Sequence, residues 1–343
     1  MTAPKTSRPP DPSPPLHTPR GARYGPVAHD APMTRPTDPA RAPEPRRLDP
    51  GSGAAPVVVH APMHAPMPVP MPVPMPVGVH EAFEAVPGER ADMLLIADHA
   101  SNRLPDGYPP ALGLDPDQFE RHIAYDIGVE GTARRLAALT GAPLVMSRFS
   151  RLLIDPNRGE DDPTLIMRVS DGAIVPANAH VDAAERARRI ETCWRPYDRA
   201  VTDAIAALSA GDGDPPARPP RPPVIVSLHS FTPSWRGVPR PWHIGVLHDA
   251  DTRVSSRMIA ALEADGDLVV GDNEPYSGAM GGDMMNRQAH ARGLPHALVE
   301  FRQDLIGTED GQREWAGRMA PILDAIARDP DIRTVRYHRS LAL

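Results

Sequence analysis

From residue 93 onward the chain alternates short apolar runs with longer stretches in which apolar positions recur every three or four residues. Met93–Ala97 (MLLIA) and Val224–Leu228 (VIVSL) are unbroken apolar runs of strand length, the pattern of strands buried on both faces. Pro143–Ser147, Leu152–Ile154, Ile244–Leu247, Leu268–Val270 and Ala297–Phe301 read as further strands. Helical spacing covers Ile127–Leu139, which closes on Gly141 as a C-cap signal. It also covers Val181–Leu208, with Pro196 as an internal break or kink. Further helices are expected near 252–264, over Asp283–Ala291 and over Glu309–Ala327. Strands alternating with helices predict a three-layer α/β architecture, a mixed and mostly parallel central sheet flanked by helices.

The first part of the chain follows neither pattern. Residues 1–80 hold 22 of the 45 prolines, and Ala61–Val77 is a low-complexity Met-Pro-Val repeat. Proline removes backbone donors and this segment has few large apolar residues, so no fixed structure is expected before about Val79. The chain is therefore divided into a Pro-rich disordered tail, 1–78, and one folded domain, 79–343. The tail reads as a disordered extension or a misassigned start; a docking segment or a metal lure built on His60, His64 and His80 is the functional alternative. A second Gly/Pro-rich stretch, GDGDPPARPPRPP at 211–223, is a loop, and it lacks the Lys and following helix of a phosphate-binding loop.

Charge separates the same two parts. Residues 1–80 carry 8 Lys+Arg against 5 Asp+Glu, which leaves 29 against 39 for residues 81–343, a net of −10. An acidic body argues against nucleic acid as a partner, because phosphate contacts need a basic face. The one cysteine, Cys193, excludes an intramolecular disulfide and a Cys-based zinc cluster, and its place mid-helix beside Trp194 reads as core. No apolar run approaches the roughly 18 residues of a membrane span, and the first residues lack the apolar centre of a secretory signal. A soluble cytoplasmic protein is expected.

In parallel sheets ligands bind at the carboxyl ends of strands, so the residues there are the place to look for chemistry. MLLIA runs into Asp98-His99-Ala100-Ser101-Asn102, LLI into Asp155-Pro156-Asn157-Arg158, VIVSL into His229-Ser230, and ALV into Glu300-Phe301-Arg302. One histidine in such a position is usually a hydrogen-bonded structural residue. Two, each directly after a strong apolar strand, with a helical Asp126 between them in sequence, match the two imidazoles and an oxygen ligand of a catalytic zinc-type site. Glu300 is either a general base acting on water or the salt-bridge partner of Arg302, which shares its face of the strand. Arg148, Arg151 and Arg158 crowd one strand end, which suggests an anionic substrate; surface solubility is the plainer role. In Asn273-Glu274-Pro275-Tyr276-Ser277, Tyr276 either donates to substrate or packs inward on a turn.

The motifs DHASNRLP, SRLLIDPNR, LHSFTP, NEPYS and EFRQDLI, in this order between about Met93 and Leu305, resemble the N-formylglutamate amidohydrolase family. The family is similar in fold to zinc carboxypeptidases and aspartoacylases. The resemblance implies one catalytic divalent metal, most simply zinc, and hydrolysis of N-formyl-L-glutamate to formate and glutamate in histidine degradation. It implies His99 and His229 as metal ligands and Glu300 as general base. It places Arg151 near the scissile group and Asn157 and Arg158 on a substrate carboxylate; beside it, Arg302 and Tyr276 are expected as further substrate contacts. Distant relatives supply the middle ligand as a Glu three residues after the first His, where this chain has Asn102. Asp126 is the preferred substitute because a neutral amide is a weaker ligand than a carboxylate. Asp98 is second, as a ligand or as a group that orients one. The start DHASN also differs from the PHSG-type start of the best-known deformylases. The expected partner is a small anionic N-acyl amino acid. The alternatives are a carboxypeptidase, a deacylase of a larger N-acyl amino acid, or a metal-free binding protein, the last favoured by Asn102.

Overall fold

The computed structural model describes residues 78–210 and 221–342. The expectations placed on residues 1–77 and on 211–220 lie outside the described residues. Eight strands form the central sheet: β1 (Gly78–Val79), β2 (Phe83–Val86), β3 (Met93–Ala97), β4 (Leu144–Ser147), β5 (Val224–Phe231), β6 (Ile244–Leu247), β7 (Val270–Asp272) and β8 (His296–Arg302). Their spatial order is β1-β2-β4-β3-β5-β8-β6-β7. The pairs β4–β3, β3–β5, β5–β8 and β6–β7 are parallel, whereas β1–β2, β2–β4 and β8–β6 are antiparallel. Gly78, expected to end the tail, is already paired with Ala85.

The main helices are α1 (Val129–Thr140), α2 (Ala183–Arg189), α3 (Arg195–Ser209), α4 (Ser255–Glu263), α5 (Met284–Gln288) and α6 (Glu309–Arg328). Alternate strand residues feed two separate cores, which is why the strands are apolar throughout. Leu94, Ile96, Val145 and Ile225 pack with Tyr197, Val201 and Ile205 of α3. Met93, Leu95, Val226 and Val299 pack with α1, α4 and α6 through Leu136, Met258 and Met319. Helices thus cover both faces, and the three-layer, mostly parallel expectation describes the fold.

Three local expectations are corrected. Leu152–Ile154 is buried but is a turn, not a strand. The Leu152 and Leu153 carbonyls accept from Asn178 Nδ2 (2.7 Å) and Arg189 Nη1 (2.8 Å), so side chains replace a strand partner. The break expected at Pro196 in the long helix lies just ahead of it, as a π-helical turn, Ile190–Trp194. Pro196 has no N–H to bond the Thr192 carbonyl, and the wider turn absorbs that gap just before α3 begins. The strand expected at Leu268–Val270 sits two residues later. β1 and β2 carried no clear sequence signal: β1 is two residues long, and in the four-residue β2 only Ala85 is fully buried.

Candidate active site

Backbone contacts assemble the site before any side chain does. β3 ends at Ala97, and Asp98 and His99 follow at once. The His99 carbonyl accepts from the Asp126 N–H at 2.9 Å, which docks the turn before α1 against the end of β3. Asp126 was expected on a helix; it lies in this turn, ahead of the first helical residue, Val129. Gly128 enters α1 at φ 83°, and a Cβ there would meet the Ile306 carbonyl oxygen at 2.1 Å, so glycine lets the turn fit. β5 runs through His229, and β8 pairs with it in the register Glu300↔His229. Residues paired in register leave the same face of a sheet.

Ligating atoms of His99, Asp126 and His229 all lie within 4.8 Å of one another, and all three residues are buried. His99 Nε2 bonds Asp155 Oδ1 at 2.7 Å. Its Nδ1 is buried without a hydrogen-bond partner, 3.5 Å from Asp126 Oδ1. His229 Nδ1 faces Asp126 Oδ2 at 2.9 Å and its Nε2 faces Asp98 Oδ2 at 3.0 Å. The two outer carboxylates are themselves fixed. Tyr197 Oη and Ser227 Oγ donate to Asp98 at 2.9 and 3.0 Å, and Arg151 Nη2 donates to Asp155 Oδ2 at 2.8 Å. Burial alone would raise the pKa values of Asp98, Asp126 and Asp155, but adjacent histidine and arginine charges outweigh it and hold all three below the usual range. Burial works against a charged His229, yet its two carboxylates hold the ring well above the usual histidine value.

This donor set fits a divalent ion. Two imidazoles and a carboxylate converge, one buried ring nitrogen has no protein partner, and each far nitrogen rests on a buried carboxylate that would fix ring orientation. Asp98, second in line as a ligand, lies on the outer nitrogen of His229. Asn102 is elsewhere: its Nδ2 donates to the Phe119 carbonyl and Glu120.

The cluster opens into a cavity of about 210 Å³, lined among others by Glu300, Arg151, Asn157, Arg158 and Tyr276. Glu300 is 7% exposed, and its Oε2 has no partner. Burial first, and then the Asp126 charge, push its carboxyl up to about 8 against the opposing pull of His229 and Arg151. Burial disfavours a charged Arg151, but Asp155 and Asp126 raise its pKa above the usual value, and its Nε is buried without a partner. Asn157 Oδ1 accepts from the Met284 N–H at 3.0 Å. Arg158 Nη1 donates to the Asn157 carbonyl and to Met280 Sδ. Tyr276 is 41% exposed at the cavity and not packed inward, and its Oη accepts from Arg240 at 3.1 Å.

Two arginines expected here are not brought to the cavity. Arg302 pairs with Asp304 at 2.8 Å and donates to the Trp242 carbonyl, so it is neither the partner of Glu300 nor a lining residue. It is the last residue of β8, where the chain turns into the helix Gln303–Ile306 and the shared face of the strand is lost. Arg148 bonds the His80 carbonyl at 2.9 Å.

Sequence reasoning left four lining or supporting residues without a role: His122, Asp155, Asp283 and Arg240. Asp155 stood in the open, first after the LLI run. Asp283, pushed up to about 6 by burial, caps α5 by accepting from Asn286 N at 2.7 Å. His122 and Arg240 lie in irregular segments with no periodic signal. The NEPYS motif has a structural basis as well. Asn273 sits at φ 52° and its Oδ1 accepts from the His248 and Gly278 N–H groups, closing the loop over the cavity. Gly245 lets that loop approach β6, since a Cβ there would lie 2.1 Å from the Glu274 carbonyl oxygen.

A mixed, mostly parallel sheet flanked by helices, with buried acid–base groups and two histidines gathered at its strand ends, is the arrangement of a three-layer α/β enzyme site. Comparison with known proteins makes this specific. Residues 91–307 match the family model for N-formylglutamate amidohydrolase, and the chain belongs to that family and is an amidohydrolase. A solved gene product of Agrobacterium tumefaciens is 33% identical, with 72% of this chain and 95% of that one covered and a TM-score of 0.65. The N-formylglutamate amidohydrolase of Ralstonia eutropha JMP134 is 20% identical, covers 74% of this chain and 99% of its own, and has a TM-score of 0.53, a likeness of fold. No curated protein matched the sequence significantly. No helix among the described residues is long and apolar enough to cross a membrane.

Proposed function

We propose that the protein hydrolyses the amide bond of an N-formyl or N-acyl amino acid, N-formylglutamate first, with a divalent ion held by His99, Asp126 and His229. Zinc suits the donor set best. The observation that carries this reading is the meeting, in one cavity, of that three-residue cluster and the unpartnered Oε2 of Glu300. When bound, such an ion supplies Lewis acidity that polarises a carbonyl and makes water easier to ionise.

The remaining steps belong to the chain's own groups. Glu300 Oε2 takes a proton from the water that attacks the carbonyl carbon. It returns that proton to the nitrogen as the C–N bond breaks. Arg151 donates to the oxygen that gains negative charge, while its Nη2 stays on Asp155 and keeps the guanidinium in place. Asn157 and Arg158 bind the substrate carboxylate; Asn157 Oδ1 is held by the Met284 N–H, which leaves its Nδ2 to donate outward. Tyr276 supplies a hydroxyl at the cavity mouth. The activity belongs to residues 79–343, with the Pro-rich residues 1–78 outside it.

The test is a panel of N-formyl, N-acetyl and N-succinyl amino acids assayed for amine release before and after chelation and after added zinc or cobalt. N-formylglutamate is expected to be cleaved, with activity lost on chelation and regained on metal addition. Full activity in the chelated protein would remove the metal from the reading.

A further inference from the structure

One more cation stands at the edge of the cavity, held by residues that line it, and the reading above does not use it. Arg240 follows the two-stranded hairpin Ser234–Trp235/Val238–Pro239 and stands beside Tyr276, Trp235 and Phe231, 5.1, 5.6 and 5.8 Å from their ring centroids. All its hydrogen bonds use one nitrogen: Nη1 donates to Thr232 Oγ1 (3.0 Å), the Thr232 carbonyl (3.4 Å) and Tyr276 Oη (3.1 Å). Among the described residues its Nε and Nη2 have no partner, and no carboxylate pairs with it. That Nε–Nη2 edge is the fork a carboxylate binds with two parallel hydrogen bonds. Tyr276, Thr232 and Phe231 all line the cavity, and the charge of Arg240 bears on Glu300 within it.

Arg158 presents the same picture, with only Nη1 engaged and no carboxylate partner among the described residues. One loop joins the two: its Tyr276 meets Arg240 and its Met280 meets Arg158. Arg158 lies three residues from Asp155, which bonds the ligand-set residue His99, so it is the anchor tied to the cluster where the amide is cut. Arg240 is the anchor displaced along the loop. A substrate with a single carboxylate satisfies Arg158 and leaves Arg240 facing an uncharged group.

We propose that Arg240 is the residue that selects an acidic side chain: Asn157 and Arg158 take the carboxylate next to the scissile amide, and Arg240 takes a second carboxylate at the end of the substrate side chain. This rests on the N-acyl amino acid reading and narrows it to N-acyl dicarboxylic amino acids. Tyr276 and Thr232 hold the guanidinium and act as positioning residues.

The test compares N-formyl-L-glutamate with N-formyl-L-glutamine, which differ only in the side-chain charge. kcat/KM is measured for both in the wild type, Arg240→Gln and Arg240→Lys. Calorimetric affinities for both are measured in a Glu300→Gln background, with and without Arg240→Gln. Losing a charge-assisted pair of hydrogen bonds is expected to cost roughly 10- to 100-fold for the dicarboxylate. The glutamine analogue should change less than about threefold, and Arg240→Lys should restore part of the preference. Equal losses on both substrates, or a preference untouched by Arg240→Gln, would overturn the assignment. Selective, Arg240-dependent binding without hydrolysis would uphold it and count against the amidase reading instead.

Discussion

His99 and His229 meet edge to face with ring centroids 4.8 Å apart, and His290 and His296 do the same at 5.7 Å. Both pairs are buried, and both have aspartates nearby. The second pair nevertheless builds no site. Asp249, 3.5 Å from His290 Nε2, is taken up by the C-terminal segment: Ser340 Oγ donates at 2.5 Å and the Leu341 N–H at 2.7 Å. Asp251 is neutralised by Arg253 at 2.7 Å, and His296 Nδ1 is bonded to the Leu294 carbonyl. The free space beside His290 is about 10 Å³, at the lower limit for one water, against about 210 Å³ beside His99. At the strand ends the carboxylates instead face the rings from both sides, and Asp126 is shared between them. Residue type is common to the two regions; what separates them is which partners the carboxylates are left to serve.

The largest predicted effect breaks the first pair. His229→Ala removes a ligand, so bound metal and turnover should both fall to background, measured by elemental analysis and amine release. His290→Gln in the second pair should keep both, whatever it does to thermal stability. Next is Glu300→Gln, which keeps size and hydrogen bonding but removes the base. Metal content should stay normal while kcat falls by roughly 10² or more. Near-normal turnover would send the search for the proton acceptor elsewhere in the cavity.

Smaller effects sharpen the role of the outer carboxylates. Asp155→Asn and Asp98→Asn should weaken metal affinity by roughly 10- to 100-fold without abolishing binding. An unchanged affinity would make both aspartates purely structural. Metal binding should also depend on pH. Asp126 and Asp98 raise the pKa of His229, so below that raised value the ring holds a proton that must leave before its nitrogen can ligate. Affinity therefore weakens as pH falls, and a competition titration should show tighter binding at about pH 8 than at about pH 6. Asn102→Ala, which touches only the Phe119 carbonyl and Glu120, should leave metal content unchanged.

Much of this was legible in the sequence because buried parallel strands are apolar throughout and their ends are abrupt. MLLIA and VIVSL marked β3 and β5, and the polar residues that followed them included His99, Asp98 and His229. Asp126 was singled out as an oxygen ligand between the two histidines and then preferred to the amide of Asn102; nothing local showed that the His99 carbonyl would dock its turn. Arg302 misled because alternation along a strand stops applying where the strand ends. Arg240 was invisible, since it lies in an irregular segment after the hairpin and meets Tyr276 from a loop far away in sequence. Leu152–Ile154 looked like a strand because it is buried, and burial there is made tolerable by Asn178 and Arg189, far away in sequence.

Anomalous diffraction at the zinc edge, from crystals of the full chain grown with zinc, tests the central claim most directly. The expected result is one strong peak within ligand distance of His99 Nδ1, Asp126 and His229. A peak at His290 and Asp249, a peak at Asn102, or no peak in protein that still cleaves N-formylglutamate would contradict it.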